Sequence, residues 1–244
     1  MLRRIIAPMV EFGPLAGTLY ILDRVLSRLS PRLRILAYEL VVQPIPSTPV
    51  LPSARVRTLR CKELKRGDPD LRKVIAPLTV QEFRFAQDSI CLATYREDRL
   101  IGYVWFCSGS YNEDEARCKF LVNPPGKAVF DFDLVVLPEF RMGLGFAAVW
   151  HCTAQYLRDR QIEYSFSRIT RFNSISRRSH SRLGSIRIGS MLVVKVWGLE
   201  IFVATLPPFI RICLPASRVM VPLRLPAGVP SNVREPPARH AMDD

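Results

Sequence analysis

Three groups of residues have types and spacings that could do chemistry. Residues 137–147, LPEFRMGLGFA, place an arginine and two glycines at alternate positions, Arg141-x-Gly143-x-Gly145. The run before them, AVFDFDLVVL, alternates like a strand, and AAVWHCTAQYLRDR after them has helical spacing. A glycine-bearing turn opening a helix can bring unpartnered amides, at the positive end of the helix dipole, close to a phosphate. It can equally be a connection whose glycines supply positive φ. The spacing matches neither a P-loop nor the Rossmann glycine fingerprint.

The second group lies in that strand. Asp131 and Asp133 share one face, with Phe130, Phe132, Leu134 and Val136 on the other. Desolvation raises a carboxylate's pKa toward that of a useful base, which makes Asp133 the candidate base. An ordinary exposed strand face is the alternative. The third group is FNSISRRSHSRLG, a short helix with Asn173 as N-cap and Gly184 just past its end. Asn173, Ser176, His180 and Leu183 fall on one helical face, which suits a polar ligand and suits solvent as well. The loop acids Glu113, Asp114 and Glu115 could meet a cationic substrate or stand in water.

These groups must be held by elements, and the chain supplies them in order. PLAGTLYILDRVLSRL, residues 14–29, reads as a helix ended by Ser30-Pro31. A short apolar stretch, LRILAYELVVQ, follows, and then PIPSTPVLPS, with four prolines in ten residues, which marks a boundary. Beyond it come a strand, one or two helical pieces, a hairpin across REDR, the AVFDFDLVVL strand, a helix, the strand IEYSFSRIT, a short helix and a final hairpin turning at Gly198. This order predicts a mixed α/β layer architecture rather than a doubly wound parallel sheet. Three regions are expected: a helix and proline-rich linker over 1–54, the main domain over 55–205, and a proline-rich tail over 206–244, disordered from about Pro226.

With 244 residues, 48% of them hydrophobic, the chain can bury a substantial core. Its net charge of +13, from 29 Arg and 6 Lys, favours anionic partners: phosphate cofactors, nucleic acid or an anionic membrane surface. From Tyr164 to Leu199 six Arg and one Lys occur without an acid. Aromatics are not interleaved among them and no helix-turn-helix or zinc-finger pattern is present, which argues against nucleic acid. None of the six cysteines forms a Cys-x-x-Cys pair, and no His/Cys cluster has metal-ligand spacing, so no metal is expected. The basic start is broken by Pro8, Glu11 and Pro14 and makes a poor signal peptide. The cysteines are therefore expected reduced and buried, in a cytoplasmic protein. The leucine-rich first helix could pack on its own domain or a second subunit, as in a homodimer, or lie peripherally on a membrane.

In this order and at this distance, the strand, PEFRMGLGFA and the helix resemble the acetyl-CoA-binding motif of the GCN5-related N-acetyltransferases, the GNAT family. NSISRRSHSRLG is similar to that family's second signature: Asn, a small residue, an aromatic or His, then Leu-Gly. The resemblance spans 55 to about 205. It implies a mixed, mostly antiparallel central sheet flanked by helices, here with an N-terminal helical extension. It also implies acetyl-CoA, or another acyl-CoA, as co-substrate, with pyrophosphate on the loop Arg141, Met142, Gly143, Leu144, Gly145 and Phe146. The pantetheine arm would pair along the strand at Val136, and Asn173 would touch the cofactor. His180, where many members have Tyr, would protonate the departing thiolate if its pKa lies near neutrality. An amine or hydroxyl of a small-molecule acceptor would attack the thioester directly. The family pattern has two residues between the Arg and the first glycine, and here only Met142 intervenes. A non-catalytic acyl-CoA-binding or regulatory module on the same fold, or a membrane-surface adaptor, are the alternatives.

Overall fold

The computed structural model describes residues 2–229. In chain order its elements are α1 (Leu2–Phe12), α2 (Pro14–Leu29), β1 (Leu33–Pro44), α3 (Ser53–Val56), β2 (Leu59–Leu64), α4 (Leu78–Phe85), β3 (Ile90–Arg96), β4 (Arg99–Ser108), β5 (Ser110–Asn112), β6 (Cys118–Val122) and β7 (Ala128–Val136). Then come α5 (Gly145–Arg158), β8 (Tyr164–Thr170), α6 (Ser174–Arg182), β9 (Ile186–Val196), β10 (Leu199–Ala204), β11 (Ile210–Cys213) and β12 (Val219–Leu223), with short 3-10 turns at Pro69–Lys73 and Pro138–Phe140.

Nine strands form one sheet in the order β11-β10-β9-β1-β8-β7-β4-β3-β2. Every step is antiparallel except the central β7–β8 pair. A smaller sheet, β12-β6-β5, packs beneath it. The expected mixed, antiparallel-dominated sheet with flanking helices and an N-terminal helical pair is thus the architecture. The hairpins close where the sequence turns them: Arg96 pairs with Arg99 across Glu97-Asp98, and Val196 with Leu199 across Trp197-Gly198. Trp197 and Gly198 both have positive φ, as a tight two-residue hairpin turn requires.

Strand β4 is buried along nearly its whole length because both faces of the sheet are covered there. On one face Trp105, Phe130, Phe132 and Phe166 join Phe120 and Tyr111 of the smaller sheet. On the other, Val149, Trp150, Ala154 and Leu157 of α5 cover Val104, Phe106 and Val129. Burying each large apolar side chain stabilises the fold by about 2 kcal/mol, so α5 is fixed to the sheet along its length.

Several expectations change. The stretch LRILAYELVVQ, upstream of the boundary expected at residue 54, is strand β1 and sits between β8 and β9 in the middle of the large sheet. The stretch beyond 206, expected as a tail, supplies edge strand β11 and then β12, which pairs in parallel with β6. The disorder expected from Pro226 falls mostly outside the described residues. Cys61 of β2 and Cys152 of α5 are joined in a disulfide, with Cα atoms 5.8 Å apart. Because 91 residues separate them in sequence, local spacing could not reveal the pair. The other four cysteines are free and buried. The cysteines therefore give no argument for a reducing compartment. No described helix is long and apolar enough to cross a membrane.

Candidate active site

The parallel strands β7 and β8 run together only as far as Asp131 opposite Ser167, although β7 continues to Val136 and β8 to Thr170. The cause lies in β7. Asp133 has φ 55°, and the pairing of β7 with β4 slips by one residue between Tyr103 and Trp105. A bulge of this kind bends its strand and carries β7 away from β8. The gap is a polar cleft of about 220 Å³ lined by Arg84, Asp131, Asp133, Ser167, Asn173 and His180, among others.

The glycine loop leads from β7 into α5. Gly143 has φ 105°, and a Cβ placed on it would meet nothing within 4 Å, so its role is the turn itself. Gly145 differs: a Cβ there would meet the Phe140 carbonyl oxygen at 2.3 Å and Val136 Cγ1 at 2.7 Å. Its missing side chain makes room for the loop's own backbone. Helix α5 begins without a side-chain cap, and its ladder opens with Ala148 N–H donating to Leu144 O at 2.8 Å. The amides of residues 145–147 precede that ladder. The exposed Arg141 lies beside them and donates from Nε to the Val136 carbonyl at 3.0 Å.

Asn173 does cap α6: its side-chain oxygen accepts from Ser176 N–H at 2.9 Å. In the last turn of the helix, His180 is buried against Phe146 and Trp150 of α5, with ring centroids 5.2 and 6.1 Å away. The Phe146 contact brings His180 to the first turn of α5. Burial lowers its pKa to about 4, and its Nδ1 has no hydrogen-bond partner. The imidazole is therefore neutral at pH 7, contrary to the near-neutral pKa expected of a proton donor. The ring lines the cleft.

The carboxylates also divide differently from expectation. Asp133, the expected base, reaches Arg84 at 2.6 Å and is partly solvated, so the desolvation expected there is absent. Asp131, two residues earlier, is buried, and burial pushes its pKa up to about 6 although Ser165 and Ser167 each donate to it at 2.5 Å. The bulge separates the two. Asp131 lies before it, in the paired part of the strand, and Asp133 lies on it.

Two arginines of the site are not singled out by sequence reasoning. Arg84 of α4 is buried and also grips Asp114 at 2.7 Å. Arg168 of β8 meets Glu113 through two bonds of 2.6 Å, and burial pushes Glu113 up to about 7 against that attraction. The acids at 113–115 are thus paired with arginines rather than a solvated run, and Asp114 and Glu115 line the cleft. Their only sequence signal is an acidic cluster in a strongly basic chain.

Among the expected site residues, the structure places His180, Asn173 and Asp133 on the cleft, while Val136, Arg141 and the glycine loop are not among its lining residues and meet it through Phe146, which packs on His180. Fold and site together define a mixed-sheet protein whose split central strand pair meets an uncapped helix start. Residues 56–184, more than half of the chain, match the family described as the Acetyltransferase (GNAT) family, and the protein belongs to it. No curated protein sequence matches the chain. Among solved structures it is similar to a functionally unknown conserved protein from Staphylococcus epidermidis (13% identity, TM-score 0.47, covering 72% of this chain and 66% of that one). It is also similar to a GCN5-related glucosamine N-acetyltransferase region in a fungal multi-domain β-N-acetylglucosaminidase (14%, 0.48, 72% and 23%). A third is a GCN5-related N-acetyltransferase from Kribbella flavida (12%, 0.40, 68% and 61%). The chain spans less than two thirds of the length of each.

Proposed function

We propose that the protein transfers an acetyl or other acyl group from an acyl-CoA to an amine or hydroxyl of a small-molecule acceptor in the β7–β8 cleft. The observation that carries this reading is an uncapped, glycine-led helix start packed through Phe146 against the buried imidazole of His180, which lines the polar cleft. Acyl-CoA supplies the activated thioester and a pyrophosphate. The free amides at the start of α5 and the exposed Arg141 fit that pyrophosphate. Val136 lies where the strand edge is open beyond the last β7–β8 pair, and the Arg141 bond to its carbonyl is exposed, so exchanging it for a ligand bond costs little.

The attacking nitrogen must shed protons. Asp131, with its pKa near 6, is mostly ionised at pH 7 and can take the proton of an incoming ammonium through the Ser167 hydroxyl. The uncharged nitrogen then bonds to the thioester carbon as the carbon–sulfur bond breaks. The neutral ring of His180, which lines the cleft, accepts the proton that this nitrogen releases and returns it to the thiolate. A weak base suffices for that step, because the nitrogen becomes strongly acidic as its bond to carbon forms. Arg84 holds Asp133 and Asp114 in place beside the path.

Calorimetric titration of acetyl-CoA into the wild type and Arg141→Glu tests cofactor binding. Reversing a charge beside the pyrophosphate should weaken binding about thirtyfold, as a loss of about 2 kcal/mol requires, and leave stability within about 0.5 kcal/mol because Arg141 is exposed. Failure of the folded wild type to bind would end this reading. Asp131→Asn should abolish acceptor-dependent release of CoA thiol while raising stability at pH 7. The folded pKa of Asp131 is raised, so the group destabilises the fold progressively as pH climbs from about 4 to about 6. The variant should gain about 3 kcal/mol at pH 7 and nothing at pH 4. Unaltered turnover would remove Asp131 from the proton path.

A further inference from the structure

We propose that the outer face of α2, with the β9–β10 turn beside it, docks on an anionic lipid bilayer. Leu15, Leu22, Val25 and Leu29 lie at i, i+7, i+10 and i+14, a single stripe along α2, and are 66, 45, 49 and 74% exposed. The leucines of this helix thus do not all turn to the core. The opposite side does: buried Ala16 and Asp23 face the domain, and Asp23 accepts from Ile35 N–H at 2.8 Å and from Arg34 Nε at 3.0 Å.

The charges decide the occupant. Exposed Arg28 borders the apolar stripe on the Val25 side, exposed Arg24 lies beyond it on the same side, and exposed Arg32 follows the helix. The acids of the α1–α2 hairpin are both engaged on the domain, Asp23 as above and Glu11 with the Ser174 hydroxyl at 2.7 Å. The outer face is left with apolar and cationic groups and one threonine, Thr18, whose hydroxyl donates back to the Pro14 carbonyl at 2.9 Å. That is the pattern of a helix lying in the interface of an anionic membrane. A second copy would bring the same arginines toward these, in a chain of net charge +13.

A neighbouring feature points the same way. Leu33 pairs with Val196, so the Trp197-Gly198 turn sits at the end of the sheet where α2 gives way to β1. Trp197 is 69% exposed, and Leu214, also exposed, follows Cys213 at that end, where Pro215 lies 3.9 Å from a Cβ built on Gly198. An exposed indole beside a leucine suits the headgroup layer, where its ring and N–H are both accommodated. The hairpin is packed on the domain: Phe12 and Tyr20, 5.3 Å apart, meet Phe172 at 6.2 and 5.5 Å in tilted and edge-on contacts.

Vesicle cosedimentation of the full chain provides the test, using phosphatidylcholine vesicles with and without phosphatidylglycerol. The wild type should pellet only with the anionic vesicles and be released by salt. Leu22→Glu/Val25→Glu should lose binding, and Arg24→Gln/Arg28→Gln should bind about thirtyfold more weakly, at about 1 kcal/mol per arginine. All four positions are exposed, and thermal unfolding checks that both variants fold. The arginine pair decides alone if the apolar pair does not fold. No binding by the wild type, equal binding to both vesicles, or binding kept by both variants overturns the proposal. So does a solution dimer of the wild type that Leu22→Glu/Val25→Glu splits, because a second copy would then cover the stripe.

Discussion

Helix α6 begins at the cleft and helix α5 begins beside it, against His180, and they begin in opposite ways. Helix α6 closes its start with its own side chain, Asn173, whose oxygen accepts from Ser176 N–H. Helix α5 has no such cap and reaches its first turn through a loop whose glycines serve the backbone alone. An anion entering the cleft therefore finds open amides at α5 and a satisfied donor at α6. The two contribute different things. The α5 start offers charge complementarity from main-chain groups, while α6 offers side chains, above all the buried His180. Sequence spacing alone makes the two starts look alike, since both carry residues suited to a polar ligand.

The largest test of this contrast is Gly145→Val. Its Cβ would overlap the Phe140 carbonyl at 2.3 Å, an overlap with backbone that no rotamer relieves. A loss of about 3 kcal/mol in urea unfolding is expected, together with disappearance of acyl-CoA binding by calorimetry. Near-normal affinity in this variant would mean that the open α5 start is not what holds the anion. His180→Leu probes the side-chain half. The folded pKa of His180 lies near 4, below the ordinary 6.5, so its neutral form stabilises the fold above about pH 6.5 and that contribution drains away as pH falls toward 4. Between pH 7 and 5 the wild type should lose about 2 kcal/mol more than the leucine variant. Parallel stability curves would show the imidazole to be better solvated than its burial indicates. The smallest effect belongs to the cap: Asn173→Ala should cost about 1 kcal/mol and shift acyl-CoA affinity less than about threefold. A large loss of affinity would give Asn173 a direct part in binding and erase the difference between the two helix starts.

The outer surface of α2 offers a second contrast, with the cleft itself. In the cleft, acids and arginines neutralise each other at 2.6 to 2.7 Å. On α2 the arginines face outward with no acid among them. A net charge of +13 therefore includes arginines on the outer surface of α2 that lie apart from the cleft, besides Arg141 beside the glycine loop.

Much of this is written in local sequence. The hairpins, the strand–loop–helix around Arg141, the Asn173 cap and the run of alternating aromatics in β7 all follow from residues within a turn or two of each other, where spacing and side-chain geometry leave few choices. The family resemblance rests on the same local segments in order. What local sequence could not carry depends on distant partners. The pairing of Cys61 with Cys152, the insertion of residues 33–44 between β8 and β9, and the recruitment of residues 219–223 beside β6 join segments far apart in the chain. Protonation states belong to this second kind. Asp131 and Asp133 are equivalent by alternation, yet a bulge and an arginine from α4 bury one and pair the other. A desolvation cost is set by everything packed around a group, so the residue types were determined by the sequence and their chemistry only by the fold.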